Sequence, residues 1–257
     1  MRIAGIQLGY GDDEPLRTRV DRVCGLVREQ AGADLVVLPE LWPQGGFAYR
    51  SWAEQAEPLD GPTVTAMGLV AQEIGACLHM GSFIEYDGGR LFNTSVLLGP
   101  EGRVEATYRK IHLFGFGEGE PVLLSAGDEP VVVADVVGTR VGLATCYDLR
   151  FPELFRRLVD AGAELVLVPA AWPAKRVAHW SLLTRARAVE NQVLLVAVGT
   201  AGVHAGHEMG GRSVVVDPWG VVLAEAGTDE EVLTVEVDPG VVARTRESFP
   251  VLRDRRL

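Results

Sequence analysis

The chain has 257 residues, of which 47% are hydrophobic and 23% are charged, and its 35 acidic and 24 basic residues give a formal net charge of −11. This is enough apolar material for a large core, and an acidic surface does not attract nucleic acids or anionic membranes. No apolar stretch reaches the roughly 20 residues of a membrane-spanning helix. From charge and hydropathy we therefore expect neither a nucleic acid nor a membrane as a partner.

The start of the chain and its cysteines indicate a location. The first apolar segment soon gives way to acidic residues at Asp12 and Asp13, which makes it too short for a secretory signal. Cys24, Cys77 and Cys146 are odd in number and widely spaced, so they do not predict a disulfide framework. We therefore expect a cytoplasmic protein, in which thiols stay reduced.

Strand-like and helix-like segments alternate along the chain. In chain order they are a strand at 2–8, a helix at 14–31, a strand at 34–39, a helix at 62–75, strands at 77–84, 91–98, 103–108, 131–136 and 140–145, a helix at 152–160, a strand at 164–169, a helix at 176–191, and strands at 193–199, 212–217, 221–225 and 232–237. This order favours an α/β architecture in which helices cover stacked sheets.

No linker, repeat or low-complexity segment divides the sequence. We expect one domain over residues 1–257, because the alternation of strands and helices continues without a break. The last segment, 238–257, is polar and rich in arginine. It is predicted to be a C-terminal arm that docks on another part of the protein or on another subunit.

Three apolar runs each lead to a chemically reactive residue, namely Glu40, Lys110 and Cys146. In α/β folds, loops at the carboxyl ends of strands present functional side chains from a rigid base, so these three could meet. Lysine is also rare in this chain, because only Lys110 and Lys175 are lysines among the 24 basic residues. A compact ammonium fits beside a small reacting centre better than a guanidinium does.

The three side chains are complementary for nucleophilic catalysis. A thiol attacks as the thiolate, and Glu40 could accept the proton of Cys146. Lys110 could balance the charge and donate to an oxyanion, with the backbone N–H of Tyr147 as a second donor. Taken singly, each residue has a structural alternative, such as a buried core thiol or a surface acid. As a set they favour catalysis.

Five segments in order carry a family resemblance. They are Leu-Pro-Glu-Leu-Trp at 38–42, Tyr-Arg-Lys-Ile-His-Leu-Phe at 108–114, Cys-Tyr-Asp-Leu-Arg-Phe-Pro-Glu-Leu-Phe at 146–155, Arg-Ala-Arg-Ala-Val-Glu-Asn-Gln at 185–192 and Asp-Pro-Trp-Gly at 217–220. With them the chain resembles the nitrilase superfamily of carbon–nitrogen hydrolases, and most closely its branch of small aliphatic, omega-amidase-like enzymes.

The resemblance implies a four-layer αββα sandwich that forms a homodimer or a higher homo-oligomer. It implies Glu40 as the general base, Lys110 as the oxyanion stabiliser and Cys146 as the nucleophile. It also implies a second glutamate after the lysine, for which Glu118 and Glu120 are candidates. Counting back from Ser-Ala-Gly at 125–127 favours Glu120.

Four further residues near these segments are candidates for substrate binding: Tyr147, Trp172, Trp42 and Arg150. The aromatic residues could line a pocket, although core packing is an alternative for Trp172. Arg150 could grip a substrate carboxylate, which would make a small omega-amide of a dicarboxylic acid attractive. An ion pair with Glu153 or Asp148 explains Arg150 equally well.

The sequence therefore predicts a cysteine-dependent amidohydrolase that cleaves a small amide through a thioester and needs no metal or organic cofactor. A metal site at His204, His207 and Glu208 is less favoured than a plain or substrate-facing loop. Nitrile hydrolysis and N-carbamoyl amino acid hydrolysis remain open, because they use the same three residues. An alternative from another class is a non-catalytic thiol protein for ligand binding or redox sensing.

Overall fold

A computed structural model describes residues 1–256. The strands, in chain order, are β1 (Arg2–Gly9), β2 (Leu35–Val37), β3 (Cys77–Asp87), β4 (Arg90–Leu98), β5 (Val104–Arg109), β6 (Val133–Val136), β7 (Thr139–Leu143), β8 (Leu165–Ala170), β9 (Leu194–Ala201), β10 (Val203–His204), β11 (His207–Glu208), β12 (Val214–Val216), β13 (Val222–Glu225) and β14 (Glu231–Glu236). Together they form the interior of the molecule.

The helices, in chain order, are α1 (Leu16–Arg28), α2 (Trp52–Gln55), α3 (Pro62–Ile74), α4 (Glu120–Leu123), α5 (Pro152–Asp160), α6 (Val177–Asn191) and α7 (Gly240–Ser248). Single 3-10 turns occur at Cys146–Arg150, Ala174–Arg176 and Val251–Asp254. Within residues 1–256, no helix combines the length and the apolar character that crossing a membrane requires.

The strands form two halves that meet along β1 and β9. One half has the order β5-β4-β3-β2-β1, with β14 also paired to β1. The other half has the order β9-β8-β7-β6, with β12 also paired to β9 and β13 paired to β12. Leu8 and Gly9 at the end of β1 pair in parallel with Thr200 and Ala201 at the end of β9. This junction brings the carboxyl ends of strands from both halves to the same region.

Alternation of side chains along β1 and β2 separates two hydrophobic cores. Ala4 and Val36 pack with helices α1 and α3, whereas Ile3 and Leu35 pack with residues of β7, β8, β9, α5 and α6. Because successive side chains of a strand point to opposite faces, each half-sheet has helices on one face and the other half-sheet on its other face. The predicted four-layer αββα sandwich is confirmed.

Local sequence explains several boundaries. Helix α3 has Pro62 in its first turn and ends at Gly75, whose φ is +65°. Gly88 and Gly89, with φ of +56° and +81°, form the tight turn between β3 and β4. The sequence did not predict the short helices α2 and α4, the small β10–β11 hairpin or helix α7, because short elements and polar helices carry weak periodic patterns.

The segment 238–257 was predicted as an arm, and its described part, up to residue 256, packs against its own chain. The guanidinium of Arg246 on α7 donates to the carbonyl oxygens of Gln192 at 3.1 Å and Ala163 at 2.9 Å. The side-chain amide of Gln192 in turn donates to the carbonyl of Phe249 at 2.7 Å. These bonds attach the segment to the ends of helices α5 and α6.

Candidate active site

Glu40, Lys110 and Cys146 lie together at the carboxyl ends of their strands. Lys110 follows β5 directly, and Glu40 and Cys146 each come three residues after the end of a strand, β2 and β7 respectively. Their relative exposures are only 2%, 1% and 7%. The charges of both Glu40 and Lys110 act on the Cys146 thiol. The fold thus brings the three strand-end residues into one buried cluster.

The ammonium of Lys110 is held between two carboxylates. Its Nζ donates to Oε1 of Glu40 at 2.8 Å and to Oε2 and Oε1 of Glu120 at 2.8 and 3.1 Å. A buried ammonium requires such partners, because desolvation of an unpaired charge is expensive. The lysine is therefore fixed in place by the same carboxylate that was predicted to serve as the base.

Glu120, and not Glu118, is the second carboxylate of the cluster. It begins helix α4, and its Oε2 accepts a 2.5 Å hydrogen bond from the backbone N–H of Phe114. Glu118 is exposed to solvent. The geometry therefore favours Glu120, in agreement with the count from Ser-Ala-Gly.

Asn93 on β4 is a member of the cluster that the sequence did not reveal. Its side-chain Nδ2 donates to Glu40 Oε1 at 2.9 Å and to Glu120 Oε1 at 2.6 Å. Its carbonyl accepts from the backbone N–H of Lys110 at 2.9 Å. Asn93 thereby bridges the two carboxylates and fixes the lysine backbone. It lies in an ordinary strand segment without a motif, so nothing in its local sequence marks it.

A bulge in β3 places Glu40. The ladder between β3 and β4 is irregular between His79 and Ser82, and Gly81 there has a φ of +69°. A Cβ at Gly81 would lie 1.8 Å from the carbonyl oxygen of Pro39, so only glycine allows this approach. Ser82 Oγ then accepts from the N–H of Leu41 at 3.0 Å. These contacts fix the backbone on both sides of Glu40.

The other carboxylate oxygen of Glu40 is also satisfied. Its Oε2 accepts a 2.8 Å hydrogen bond from the backbone N–H of Ala171, which follows β8. Since β8 belongs to the second half of the structure, this bond crosses the sandwich from the first half. Both oxygens of Glu40 thus have fixed donors, and the carboxylate is held in one orientation.

Cys146 lies at a strained turn between β7 and the 3-10 turn Cys146–Arg150. Its φ is +48°, a value that residues with a Cβ rarely adopt and that clusters at functional sites. The N–H of Thr145 donates to Asp148 Oδ2 at 2.8 Å and closes the turn. The N–H of Tyr147, in the first turn of a helix, has no intrahelical acceptor. The nucleophile candidate therefore stands next to a backbone donor.

Asp148 connects the cysteine turn with the lysine strand. Besides Thr145, it accepts from the phenol of Tyr108 at 2.8 Å and from His112, through Nδ1 at 2.7 Å and the backbone N–H at 3.3 Å. Tyr108 and His112 flank Lys110 by two residues on either side. An ion pair between Arg150 and Asp148 was one alternative from the sequence, but the structure does not contain this pair.

Burial and charge set the ionisation of the cluster. Burial alone would lower the pKa of Lys110, but the carboxylates of Glu120 and Glu40 outweigh it, and the pKa is raised well above its usual value. Burial, and then the charge of Glu40, raise the pKa of the Cys146 thiol well above normal. Burial also raises the pKa of Glu120. The resting site therefore contains an ammonium and a neutral thiol.

A small cavity of about 20 Å³ opens above Cys146. Its lining includes three of the predicted substrate-binding residues, Tyr147, Trp172 and Arg150. Its other lining residues are Phe47, Phe114, Ala171, Pro173 and Arg176. The cavity thus combines an aromatic wall with two arginines, and it meets the thiol at its base.

Trp42 does not line this cavity, although it was a candidate for substrate binding. It is fully buried among the residues that pack with helices α1 and α3, and its indole N–H donates to the carbonyl of Met80 at 2.8 Å. Its position next to Glu40 in the sequence suggested the pocket. Because Leu41 has a left-handed φ of +47°, the chain turns after Glu40 and sends Trp42 to the core.

The loop with His204 and His207 forms the β10–β11 hairpin beside the cavity wall. His204 is buried and stacks on Tyr10, with ring centres 4.5 Å apart. The ring of His207 lies 4.5 Å from that of Phe47, which lines the cavity. The two histidines therefore support an aromatic wall.

Comparison with known sequences agrees with this geometry. The sequence profile of a family described as carbon-nitrogen hydrolase matches residues 2–247. The chain is 44% identical to the 2-oxoglutaramate amidase of Paenarthrobacter nicotinovorans, in an alignment over 261 residues that covers 99% of this chain and 89% of that protein.

Solved structures agree as well. A CN-hydrolase superfamily protein from Xanthomonas campestris, with an arsenic adduct in its active site, superposes with a TM-score of 0.92 and 32% identity over 100% of this chain and 97% of that one. A mutant of the amidase from Nesterenkonia sp. AN1, in which acrylamide has added to the active-site cysteine, gives a TM-score of 0.85 and 28% identity over 99% of each chain.

Proposed function

We propose that this chain, an amidase that belongs to the carbon–nitrogen hydrolase family, cleaves its substrate through a thioester on Cys146. The observation that carries the proposal is the placement of the Lys110 ammonium, which is held by Glu40 and Glu120 beside a thiol at the base of a cavity. An acid–base group, a fixed cation and a nucleophile at one point are the parts that acyl transfer requires. The similar Nesterenkonia amidase, whose active-site cysteine carries an acrylamide adduct, supports this assignment.

In the first half of the reaction, Glu40 takes the proton of Cys146 as the sulfur attacks the amide carbon. The thiol rests in its neutral form, so the proton has to move during the attack itself. The oxyanion that forms accepts hydrogen bonds from the Lys110 ammonium and the N–H of Tyr147. Protonated Glu40 then gives its proton to the nitrogen, the C–N bond breaks, and ammonia leaves a thioester behind.

In the second half, water attacks the thioester carbon while Glu40 accepts a proton from the water. The same two donors stabilise the second oxyanion. When the C–S bond breaks, the sulfur regains a proton from Glu40, and the carboxylic acid is released. Glu40 alternates between base and acid. Its two fixed hydrogen-bonding oxygens suit this role, because the carboxylate does not have to reorient between steps.

We propose short omega-amides of carboxylic acids as substrates. Arg150 lines the cavity and forms no ion pair with a carboxylate of residues 1–256, so its charge is available to an anionic substrate group. The resemblance to a 2-oxoglutaramate amidase favours the same class. Arg150 and Cys146 line the same cavity. The anionic group would contact Arg150 while the amide carbon lies at Cys146, so the two groups would be at opposite ends of the substrate.

Ammonia release from succinamate, glutaramate and 2-oxoglutaramate by the wild type and by Cys146→Ala tests this function. We expect turnover by the wild type and none by the variant. Equal rates in the two proteins would refute a thioester mechanism. The same assay with nitriles and N-carbamoyl amino acids separates amide hydrolysis from the other reactions that these residues could support.

We also propose that the enzyme is a cytoplasmic homodimer or higher homo-oligomer. Leu182 and Val189 are exposed on α6 and lie seven residues apart, on one face of the helix. Trp219 and Phe249 are also exposed, and their rings stack on each other. An apolar surface of this kind is typical of an interface between subunits. Light scattering of the purified protein tests the assembly, and a monomer at micromolar concentration would contradict it.

A further inference from the structure

Two arginines line the cavity above Cys146, and they come from different parts of the chain. Arg150 lies on the turn that begins at Cys146, with its guanidinium carbon 4.8 Å from the centre of the Trp172 ring. Arg176 ends the turn that follows β8, with its guanidinium carbon 5.1 Å from the centre of the Phe114 ring. Aromatic rings thus support both cations at the cavity wall.

Neither arginine has a carboxylate partner in the part of the chain that the structure describes. Arg150 donates to Nδ1 of His179 at 3.3 Å, and the side chain of Arg176 makes no hydrogen bond within residues 1–256. Arg19, which lines a different cavity, is by contrast paired with Glu14 at 3.2 Å. Two half-buried guanidinium groups without a protein counter-ion form a site for an anion.

We propose that Arg176 is a specificity-determining residue, which acts with Arg150 to bind the far carboxylate of the substrate and to reject an ammonium beside it. The inference rests on the proposed function and narrows the substrate class. Two cations attract one carboxylate, whereas a 2-ammonium group would bring a third positive charge next to them. The favoured substrates are therefore short monoamides of dicarboxylic acids that lack a 2-amino group.

The sequence offers a matched control for this residue. Lys175 immediately precedes Arg176 and carries the same charge, but it is exposed and does not line the cavity. Replacing either residue by glutamine removes one positive charge from the same turn. Only the change at Arg176 removes a charge from the cavity. A comparison of the two variants separates a direct contact from a general change in surface charge.

The experiment measures kcat/KM of the wild type, Arg176→Gln and Lys175→Gln on three amides of equal chain length. Glutaramate has the carboxylate alone, glutamine has the carboxylate and an ammonium, and pentanamide has neither. For Arg176→Gln we expect kcat/KM on glutaramate to fall about 10- to 100-fold through KM, the range of one charge-assisted hydrogen bond. Its activity on pentanamide should be unchanged, and the preference for glutaramate over glutamine should narrow. Lys175→Gln should behave like the wild type.

Two kinetic results would overturn the inference. One is an equal loss on glutaramate and pentanamide in Arg176→Gln, which would mean that the arginine only shapes the cavity. The other is an unchanged kcat/KM on glutaramate in Arg176→Gln, which would mean that Arg150 alone is enough to bind the carboxylate.

A binding measurement distinguishes this inference from the proposed function. Calorimetry with glutarate, a product of the expected reaction, can be made on Cys146→Ala with and without Arg176→Gln. The wild type could hydrolyse no amide while glutarate binding still weakens about tenfold or more without Arg176. That result would support the anion site and reject the proposed amide substrates. Glutarate binding that is absent, or equal in the two proteins, overturns the anion site itself.

Discussion

The carboxylate of Asp148 accepts a 2.8 Å hydrogen bond from the phenol of Tyr108, and this contact joins the turn that presents Cys146 to the strand that leads to Lys110. Both partners are almost completely buried. Burial, and then the charge of Asp148, raise the pKa of Tyr108, so its hydroxyl remains a donor at all ordinary pH values. The distance between the Cys146 thiol and the Lys110 ammonium therefore depends on a side chain that hydrogen-bonds to neither.

Replacing Asp148 by asparagine should lower kcat more than tenfold and destabilise the protein by about 1–3 kcal/mol, because an amide nitrogen would then face hydrogen-bond donors. Tyr108→Phe, which removes one of these bonds, should have a smaller effect on both quantities. Steady-state kinetics and urea unfolding measure the two effects. Wild-type kcat in Asp148→Asn would show that the link does not position the site.

Glu40→Gln should make Cys146 react faster with iodoacetamide at pH 8 while ammonia release is lost. Burial and the negative charge of Glu40 raise the pKa of the thiol, so removing that charge lowers the pKa and increases the thiolate fraction. Mass mapping of the labelled peptide separates Cys146 from Cys24 and Cys77. Slower or equal labelling of Cys146 in the variant would show that the Glu40 charge does not act on the thiol.

Lys110→Met should abolish activity and destabilise the protein by about 3–5 kcal/mol, because it leaves buried carboxylates without their counter-ion. The folded pKa of Lys110 is raised above 10.5, so the stability it contributes is present in full below that pH and is lost only as the pH rises further. The stability difference between wild type and variant should thus be constant from pH 8 to pH 10. Lys175→Met, at an exposed site, is the control and should unfold like the wild type.

The protein should lose stability between pH 6.5 and about pH 4 because of two buried histidines. Burial lowers the pKa of both His79 and His204 from 6.5 to about 4. In that window the unfolded chain binds protons that the folded protein does not, which costs about 1.4 kcal/mol per pH unit for each histidine. Urea unfolding at pH 7, 6 and 5 measures how steeply the free energy of unfolding falls with pH, which is the slope to be compared. His204→Asn should reduce it, and an unchanged slope would contradict the assignment.

Much of the fold could be predicted because its long elements carry local patterns. The apolar spacing in α1, the proline and glycine at the two ends of α3, and the continuous apolar run of β8 each identify an element within a few residues. The predicted family is confirmed as well, because its five matching segments lie at or just after the ends of β2, β5, β7, α6 and β12. The short helix α4, which begins with Glu120, has too few residues for such a pattern.

The sequence by itself determined which residues could react, because Glu40, Lys110 and Cys146 are chemically distinctive and each follows an apolar strand. Only the tertiary structure decided what surrounds them. Asn93 bridges the two carboxylates, Asp148 links the turn that begins at Cys146 to β5, Arg176 lines the cavity, and Trp42 lies in the core instead. Most of these contacts join residues that are distant along the chain, and the position of Trp42 depends on one left-handed residue. Local sequence patterns predict neither kind of feature.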